Sequence, residues 1–173
     1  MYELKIIARE SIPEALAKTE RYRLLNESWL AESICLDILR IEADNQHALV
    51  MLLLSRTDQF SQGVKPSWAR EVLTLLDDPY DRAYYSGLIS EREASATIRR
   101  GSPFAGYEAY ESLREAMNWY EKAEEMRPPG HDDAILRWNT CARMLMRDPT
   151  LRHRPPRRWK CCSTISADAG KIR

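Results

Sequence analysis

Hydrophobic and polar positions along the chain follow a helical period in seven successive stretches. Apolar residues recur every three or four positions, as at Ile34, Ile38 and Ile41, which places them on one face of a helix. The breaks between stretches carry proline, glycine, asparagine or aspartate, which interrupt helices. The pattern predicts seven helices, and because the loops between them are short, we expect neighbouring helices to be antiparallel.

The breaks place the helices at about residues 13–25, 29–42, 45–60, 67–76, 80–97, 104–126 and 132–147. Ser11, followed by Pro13 and Glu14, predicts a capping box at the first helix. Asp132 is expected to cap the seventh helix. The third helix is apolar nearly all round between Ala48 and Leu54, which predicts that it is buried between two neighbours.

The composition adds a charge asymmetry to this helical pattern. Lys and Arg number 26 and so do Asp and Glu, which makes the chain formally neutral. From residue 147 onward the balance is +6, which leaves −6 over residues 1–146. We therefore divide the chain into a lead-in segment (1–10), a helical domain (11–148) and a basic, proline-containing tail (149–173) that we predict to be disordered. The pattern leaves open whether the lead-in segment is strand, helix or coil.

The longest apolar run is far shorter than the roughly 20 residues that a membrane-spanning helix needs. The first ten residues, MYELKIIARE, lack the pattern of a secretory signal. Cys35 and Cys141 lie in apolar helical patterns, where a free thiol behaves as a small hydrophobic group. These features predict a cytoplasmic protein without membrane association.

One stretch, LREAMNWYEKAEEMRPPG at 113–130, carries a spacing that recurs. It places Ala116, Tyr120, Ala123 and Pro128 at offsets of 4, 3 and 5 residues. The same spacing returns, in degraded form, from Ala31 to Cys35, Ile38 and Ala43, and from Ala69 to Leu73, Leu76 and Pro79. A small residue early in a second helix lets the first helix approach closely, and a larger one a turn later fills the groove.

On these residues the chain resembles the tetratricopeptide repeat family, whose 34-residue helix-turn-helix unit has two small positions, an aromatic between them and a closing proline. The spacing between units is 38 and then 47 residues, longer than the family's repeat. The resemblance implies an all-α domain of antiparallel hairpins stacked as a short right-handed superhelix. In it the hairpins would be packed by Ala31, Ala69, Ala116, Tyr120, Ala123 and Pro128.

The resemblance also implies a non-catalytic protein–protein interaction module, or scaffold, that binds a peptide or a partner's helix in a concave groove. In the family, first helices line this groove, and some members hold a peptide's terminal carboxylate there with Asn and Lys or Arg. By that count, the partner-binding residues are Arg137, Asn139 and Arg143, although Ile135 stands where such members often have Lys. Asn139 and Arg143 are four residues apart and share a helix face. Alternatively, the two arginines balance acidic neighbours near the helix C-terminus.

No cluster of residues in the sequence predicts catalysis. The three histidines, His47, His131 and His153, are not at metal-ligand spacing from one another or from cysteine. The Cys161–Cys162 pair has no second ligand cluster, and no phosphate loop or nucleophile elbow occurs. We predict neither an enzyme nor a metal or cofactor site.

The tail supports an alternative function, since it concentrates basic residues and an aromatic. These could contact phosphates or stack on bases: Arg154, Arg157, Arg158, Trp159 and Lys160. This alternative, association with nucleic acid, is less favoured than a tail that is basic by chance or folds back on the acidic body. A further alternative is an all-α accessory subunit of an enzyme complex.

Overall fold

The computed structural model describes residues 2–151, and the regular structure in this range is entirely helical. Seven α-helices follow one another as α1 (Ile12–Leu24), α2 (Ser28–Leu39), α3 (Gln46–Asp58), α4 (Pro66–Leu73), α5 (Pro79–Arg100), α6 (Ala105–Met126) and α7 (Asp133–Arg147). Two short 3-10 turns, Arg9–Ser11 and Phe60–Gln62, precede α1 and follow α3. The all-α class and the order of the helices are confirmed. Residues 2–8, within the lead-in segment, are neither helix nor strand.

Side-chain caps and backbone breaks start and end several of the helices. Asn45 has an extended backbone, and its side chain accepts a hydrogen bond from the Ala48 amide at 2.9 Å, which starts α3. Asp78 caps α5 in the same way through the Tyr80 amide, with Pro79 in the first turn. At its other end, α5 stops at Gly101, whose φ of 68° is the left-handed conformation that glycine adopts without strain.

The predicted capping box at Ser11 is wrong. Ser11 has a helical backbone and makes no side-chain cap, because the 3-10 turn before it runs directly into α1. A capping residue typically has an extended backbone, from which its side chain can reach the first-turn amides. Glu14 instead forms an ion pair with Lys18 at 2.9 Å. Asp132 likewise makes no side-chain cap on α7.

Each helix packs against the next, and α3 also contacts α1 and α5. This central position explains why α3 is apolar on nearly every side, as predicted. Its buried residues are Ala48, Leu49, Met51, Leu52, Leu53, Ser55 and Thr57. The odd-numbered helices α1, α3 and α5 therefore lie side by side.

The apolar core is a row of three clusters rather than one centre. The first joins α1, α2 and α3, the second runs from α2 to α5, and the third joins α5, α6 and α7. Leu151, beyond the end of α7, is buried in the third cluster at 7% exposure, so ordered packing continues past the domain boundary drawn at residue 148. Because each cluster is shared between neighbours, no hairpin buries its apolar face alone.

Helices α5 and α6 approach each other closely at Gly87, in the middle of α5. A Cβ atom there would sit 2.7 Å from Tyr120 Cε1 and 3.1 Å from the Ala116 carbonyl oxygen on α6. The missing side chain thus lets α6 lie directly on α5. No helix among residues 2–151 combines the length and the apolar character needed to cross a lipid bilayer.

Candidate functional site

The Asp58 carboxylate at the C-terminal end of α3 joins three odd-numbered helices. Arg23 of α1 contacts it at 2.9 Å, and Arg92 of α5 lies 3.6 Å away. Ser28 Oγ donates to the same carboxylate at 3.4 Å. A negative side chain is unfavourable at a helix C-terminus, and two guanidinium groups offset that cost here. This ionic bridge ties α1, α3 and α5 together along one side of the molecule.

A second carboxylate, Glu91, lies where α5, α6 and α7 meet. Its side chain is 9% exposed and accepts a 2.7 Å hydrogen bond from the Tyr120 hydroxyl. Arg137 of α7 lies 3.4 Å from the other carboxylate oxygen. Burial raises the pKa of the Tyr120 hydroxyl, and Glu91 adds to the effect, so Tyr120 remains a donor. The cluster therefore pairs a buried negative charge with one cation and one neutral donor.

Tyrosine rings cover the α5 side of this cluster. The rings of Tyr80 and Tyr84 stack with centroids 5.9 Å apart, and the ring of Tyr84 lies 5.9 Å from that of Tyr120. Burial raises the pKa of Tyr84 as well, so the layer carries hydroxyl donors rather than phenolates. This layer of tyrosine rings holds α7 against α5 and α6.

The structure divides the three predicted partner-binding residues between two faces of α7. Arg137 points inward to Glu91, whereas Asn139 is half-buried and Arg143 is exposed. Asn139 lies about 200° around the helix from Arg137, because each residue advances about 100°. Within residues 2–151, the side chains of Asn139 and Arg143 have no hydrogen-bond or ion-pair partner. The shared face of Asn139 and Arg143 is thus present, and Arg137 is not part of it.

The residues assigned to hairpin packing are almost all buried. Ala31, Ala69, Ala116 and Ala123 have 0% exposure, and Tyr120 has 1%. Pro128 is exposed, two residues beyond the end of α6. Trp119 and Trp138 are half-buried against the third core cluster. Tyr120 therefore packs between helices, whereas the two tryptophan side chains are only partly covered.

A shallow groove of about 380 Å³ opens between α1 and α3, beside the Asp58 bridge. It is lined by Glu20, Arg23, Leu24 and Met51. Leu24 is 88% exposed, so the groove offers an apolar wall next to charged side chains. Across it, His47 of α3 approaches Glu20 at 3.2 Å. An open groove of this kind can hold side chains of a second polypeptide.

The other potentially reactive side chains among the described residues, the cysteines and histidines, do not form a shared site. Burial raises the pKa of both the Cys35 and the Cys141 thiol to about 12, which suppresses the reactive thiolate. His131 meets the edge of the Tyr80 ring. Residues 2–151 contain no group of three or more metal-ligating side chains. The five tail residues from Arg154 to Lys160, like Cys161 and Cys162, lie outside the described residues.

Sequence reasoning missed Asp58 and Glu91, the two carboxylates that join the helices. Each stands among other charged residues, in SRTDQ and SEREAS, and nothing in these local patterns distinguishes it from a solvated surface acid. Among protein-family models, curated proteins and solved structures, we found no match to this chain.

Proposed function

We propose that this protein is a non-catalytic interaction module with tetratricopeptide-like hairpins, which binds a peptide or a partner's helix along its odd-numbered helices. The observation that carries the proposal is the direct packing of α1 on α3 and of α3 on α5, with an open groove between the first two. In a stack of hairpins, one helix of each hairpin forms the inner layer and the other the outer layer.

The burial of the recurring alanines supports the repeat interpretation. Ala31 and Ala69 lie in the first turn of α2 and α4, Ala116 lies in the middle of the longer α6, and all three have 0% exposure. In the third hairpin, Gly87 provides the matching small residue on the first helix. A fully buried small residue on the second helix of every hairpin is consistent with the close packing that a stack of hairpins requires.

Asn139 and Arg143 provide the polar end of the proposed surface. An amide and a guanidinium one turn apart can bind a peptide's main chain or a carboxylate through charge-assisted hydrogen bonds. Leu24 at the α1–α3 groove provides an apolar contact at the other end. A bound segment would therefore combine an apolar residue with a carboxylate, in an extended or helical form.

The test begins with recovery of partners from the source cells, using the full chain and a chain ending at residue 151, followed by mass spectrometry. A partner retained by both chains is then titrated against the purified protein. We expect Asn139→Ala with Arg143→Ala to weaken binding about tenfold or more, since two charge-assisted contacts are removed. An unchanged affinity would show that this face of α7 is not the binding site.

The chain offers a matched control on α6. Arg114 and Asn118 are also four residues apart and exposed, but they lie on an even-numbered helix. Arg114→Ala with Asn118→Ala removes the same side-chain types and should leave the affinity unchanged. Equal losses in both double variants would indicate a general charge effect.

The same experiment distinguishes this proposal from the alternative that the protein binds nucleic acid through its tail. It predicts binding that is lost in the chain ending at residue 151 and that weakens steeply as salt is raised. Binding that survives removal of the tail and changes little with salt supports the interaction module. An accessory subunit would instead co-purify with a catalytic chain and show no affinity for a free peptide.

A further inference from the structure

The end of the described chain lies on the first turn of α6. After α7 the backbone turns at Asp148, whose carboxylate accepts hydrogen bonds from the Thr150 amide at 2.9 Å and from the Thr150 hydroxyl at 2.7 Å. Beyond this turn, the Thr150 carbonyl oxygen comes so close to Gly106 that a Cβ atom there would overlap it. Leu151 then enters the third core cluster. The chain therefore continues past Leu151 from a point beside the start of α6.

The outward side of α6 next to this point is acidic. Glu108, Glu111 and Glu115 are exposed and lie three and four residues apart, which places them in one row along the helix. Between residues 105 and 115 the basic residue is Arg114 alone, so three carboxylates and one guanidinium leave this stretch with a net charge of −2. We call the row of three glutamates the α6 stripe.

Two members of the stripe have no charge partner in the described part of the chain. The side chains of Glu108 and Glu115 make no ion pair or hydrogen bond within residues 2–151. A lysine or arginine four residues later would pair with each of them, but these positions hold Ser112 and Trp119. Glutamates at this spacing also repel one another. A cationic segment bound along the stripe therefore relieves an unfavourable distribution of charge.

The chain beyond Leu151 has the opposite charge. Residues 152–160, RHRPPRRWK, contain no acid, and the first acid after them is Asp168. The basic side chains of this segment are Arg152, Arg154, Arg157, Arg158 and Lys160. The α6 stripe is the acidic row that begins beside the point where this segment is attached.

The segment is long enough to follow the stripe. The two prolines at 155–156 favour an extended chain, which covers about 3.1 Å per residue. Residues 152–158 then span about 22 Å, whereas Gly106 and Glu115 lie about 14 Å apart along α6 at about 1.5 Å per residue. The arginines on both sides of the prolines can therefore reach all three glutamates from the attachment beside Gly106.

We infer that residues 152–160 bind along the α6 stripe of the same chain, with their guanidinium groups paired to Glu108, Glu111 and Glu115. Each exposed ion pair is weak by itself. Several pairs act together here, and because the segment is attached beside the stripe, its effective concentration lies in the millimolar range. Any other anionic partner of the tail has to displace these carboxylates. The stripe lies on an even-numbered helix, so the contact is independent of the proposed binding surface on the odd-numbered helices.

Tryptic digestion of the full chain, under conditions in which the helical domain stays folded, tests this contact. Trypsin cleaves after the basic residues of 157–160, and a bound segment is protected from it. We expect Glu108→Gln with Glu115→Gln to speed this cleavage about tenfold, because the segment is released. Glu71→Gln with Glu125→Gln removes two other exposed carboxylates and should leave the rate unchanged. Equal rates in the wild type and the stripe variant, or equal acceleration in both variants, overturn the inference.

A spin label on the tail locates the contact without relying on cleavage. The label is attached to Cys162 in a chain that carries Cys161→Ser. The two other thiols do not interfere at neutral pH, because burial raises the pKa of Cys35 and that of Cys141 to about 12. In the NMR spectrum of the full chain, we expect the label to broaden the amide resonances of α6 most strongly.

A variant of the tail makes this measurement independent of any defect in the helical domain. Arg157→Gln with Arg158→Gln leaves residues 1–151 unchanged and should reduce the broadening in α6. Lys171→Gln with Arg173→Gln removes two basic residues outside the segment and should not reduce it. Broadening that is strongest in another helix, that is weak throughout, or that persists in the first of these variants contradicts the contact.

Discussion

The Tyr120 hydroxyl on α6 donates a 2.7 Å hydrogen bond to the buried carboxylate of Glu91 on α5, although the two residues are 29 positions apart. Tyr120 occupies the aromatic position of the repeat-like spacing, and Glu91 lies one helical turn beyond the close approach at Gly87. Arg137 of α7 forms an ion pair with the same carboxylate. One buried negative charge therefore connects the last three helices.

Tyr120→Phe should lower the free energy of unfolding by about 1–3 kcal/mol, because the Glu91 oxygen loses a buried donor while the ring packing is preserved. Urea denaturation followed by circular dichroism measures the change. Tyr107→Phe is the control, since its hydroxyl has no hydrogen-bond partner within residues 2–151. If both variants are equally stable, the Tyr120–Glu91 bond contributes nothing.

Arg137→Met should destabilise the protein by about 2–3 kcal/mol, since it leaves the Glu91 charge without its cation. Because the Arg137 side chain is 29% exposed, we expect a loss of stability at or below the lower end of the range for breaking a buried ion pair. Adding Glu91→Gln should recover part of this loss, because a neutral amide still accepts from Tyr120. If Arg137→Met leaves stability unchanged but abolishes partner binding, then Arg137 belongs to the binding surface after all.

Gly87→Ala should destabilise the protein in spite of the better helix propensity of alanine. The propensity gain is about 1 kcal/mol. The new methyl group would meet the Tyr120 ring at 2.7 Å and the α6 backbone at 3.1 Å, and such overpacking costs about 1–3 kcal/mol. The ring cannot move aside easily, because it is buried and hydrogen-bonded. Ser86→Ala, one residue earlier, is the control and should be close to neutral; a Gly87→Ala variant of raised melting temperature would contradict the close approach.

Stability should fall above pH 9, in part because of two buried thiols. The pKa of Cys35 and that of Cys141 are about 12 in the folded protein, against an ordinary value of 9.0. Between these values the unfolded chain releases protons that the folded chain retains, so rising pH favours unfolding. Each thiol contributes up to about 1.4 kcal/mol per pH unit in that range.

Urea denaturation at pH 8, 9 and 10 measures this dependence. The Cys35→Ala, Cys141→Ala variant should lose less stability between pH 9 and pH 10 than the parent, and it is compared with the parent at pH 8 to remove the effect of lost packing. Identical slopes in the two proteins would show that the thiols do not contribute.

The helices could be predicted from the sequence because their signals are local. Asn45, Gly101 and the helical spacing of apolar residues act within a few positions, and the predicted ends lie within about three residues of those observed. Ser11 is an exception. Serine is a residue type that often caps helices, but the backbone of Ser11 is helical because the 3-10 turn before it runs directly into α1.

The candidate site could be predicted only in part. The face shared by Asn139 and Arg143 follows from their spacing on one helix. The inward position of Arg137 does not, because it depends on Glu91, 46 residues earlier, lying at the junction of three helices. The same holds for Asp58, whose partners Arg23 and Arg92 come from two other helices.

The sequence by itself therefore determined seven helices, their order and several small residues that are buried between them, such as Ala31, Ala69 and Ala116, since each of these follows from periodicity within a helix. Only the tertiary structure decided which charged side chains are buried and which helices they join. The local sequence does not distinguish a buried carboxylate such as Glu91 from a solvent-exposed one. Its role depends on the hydrogen-bond donor and the cation that folding places beside it.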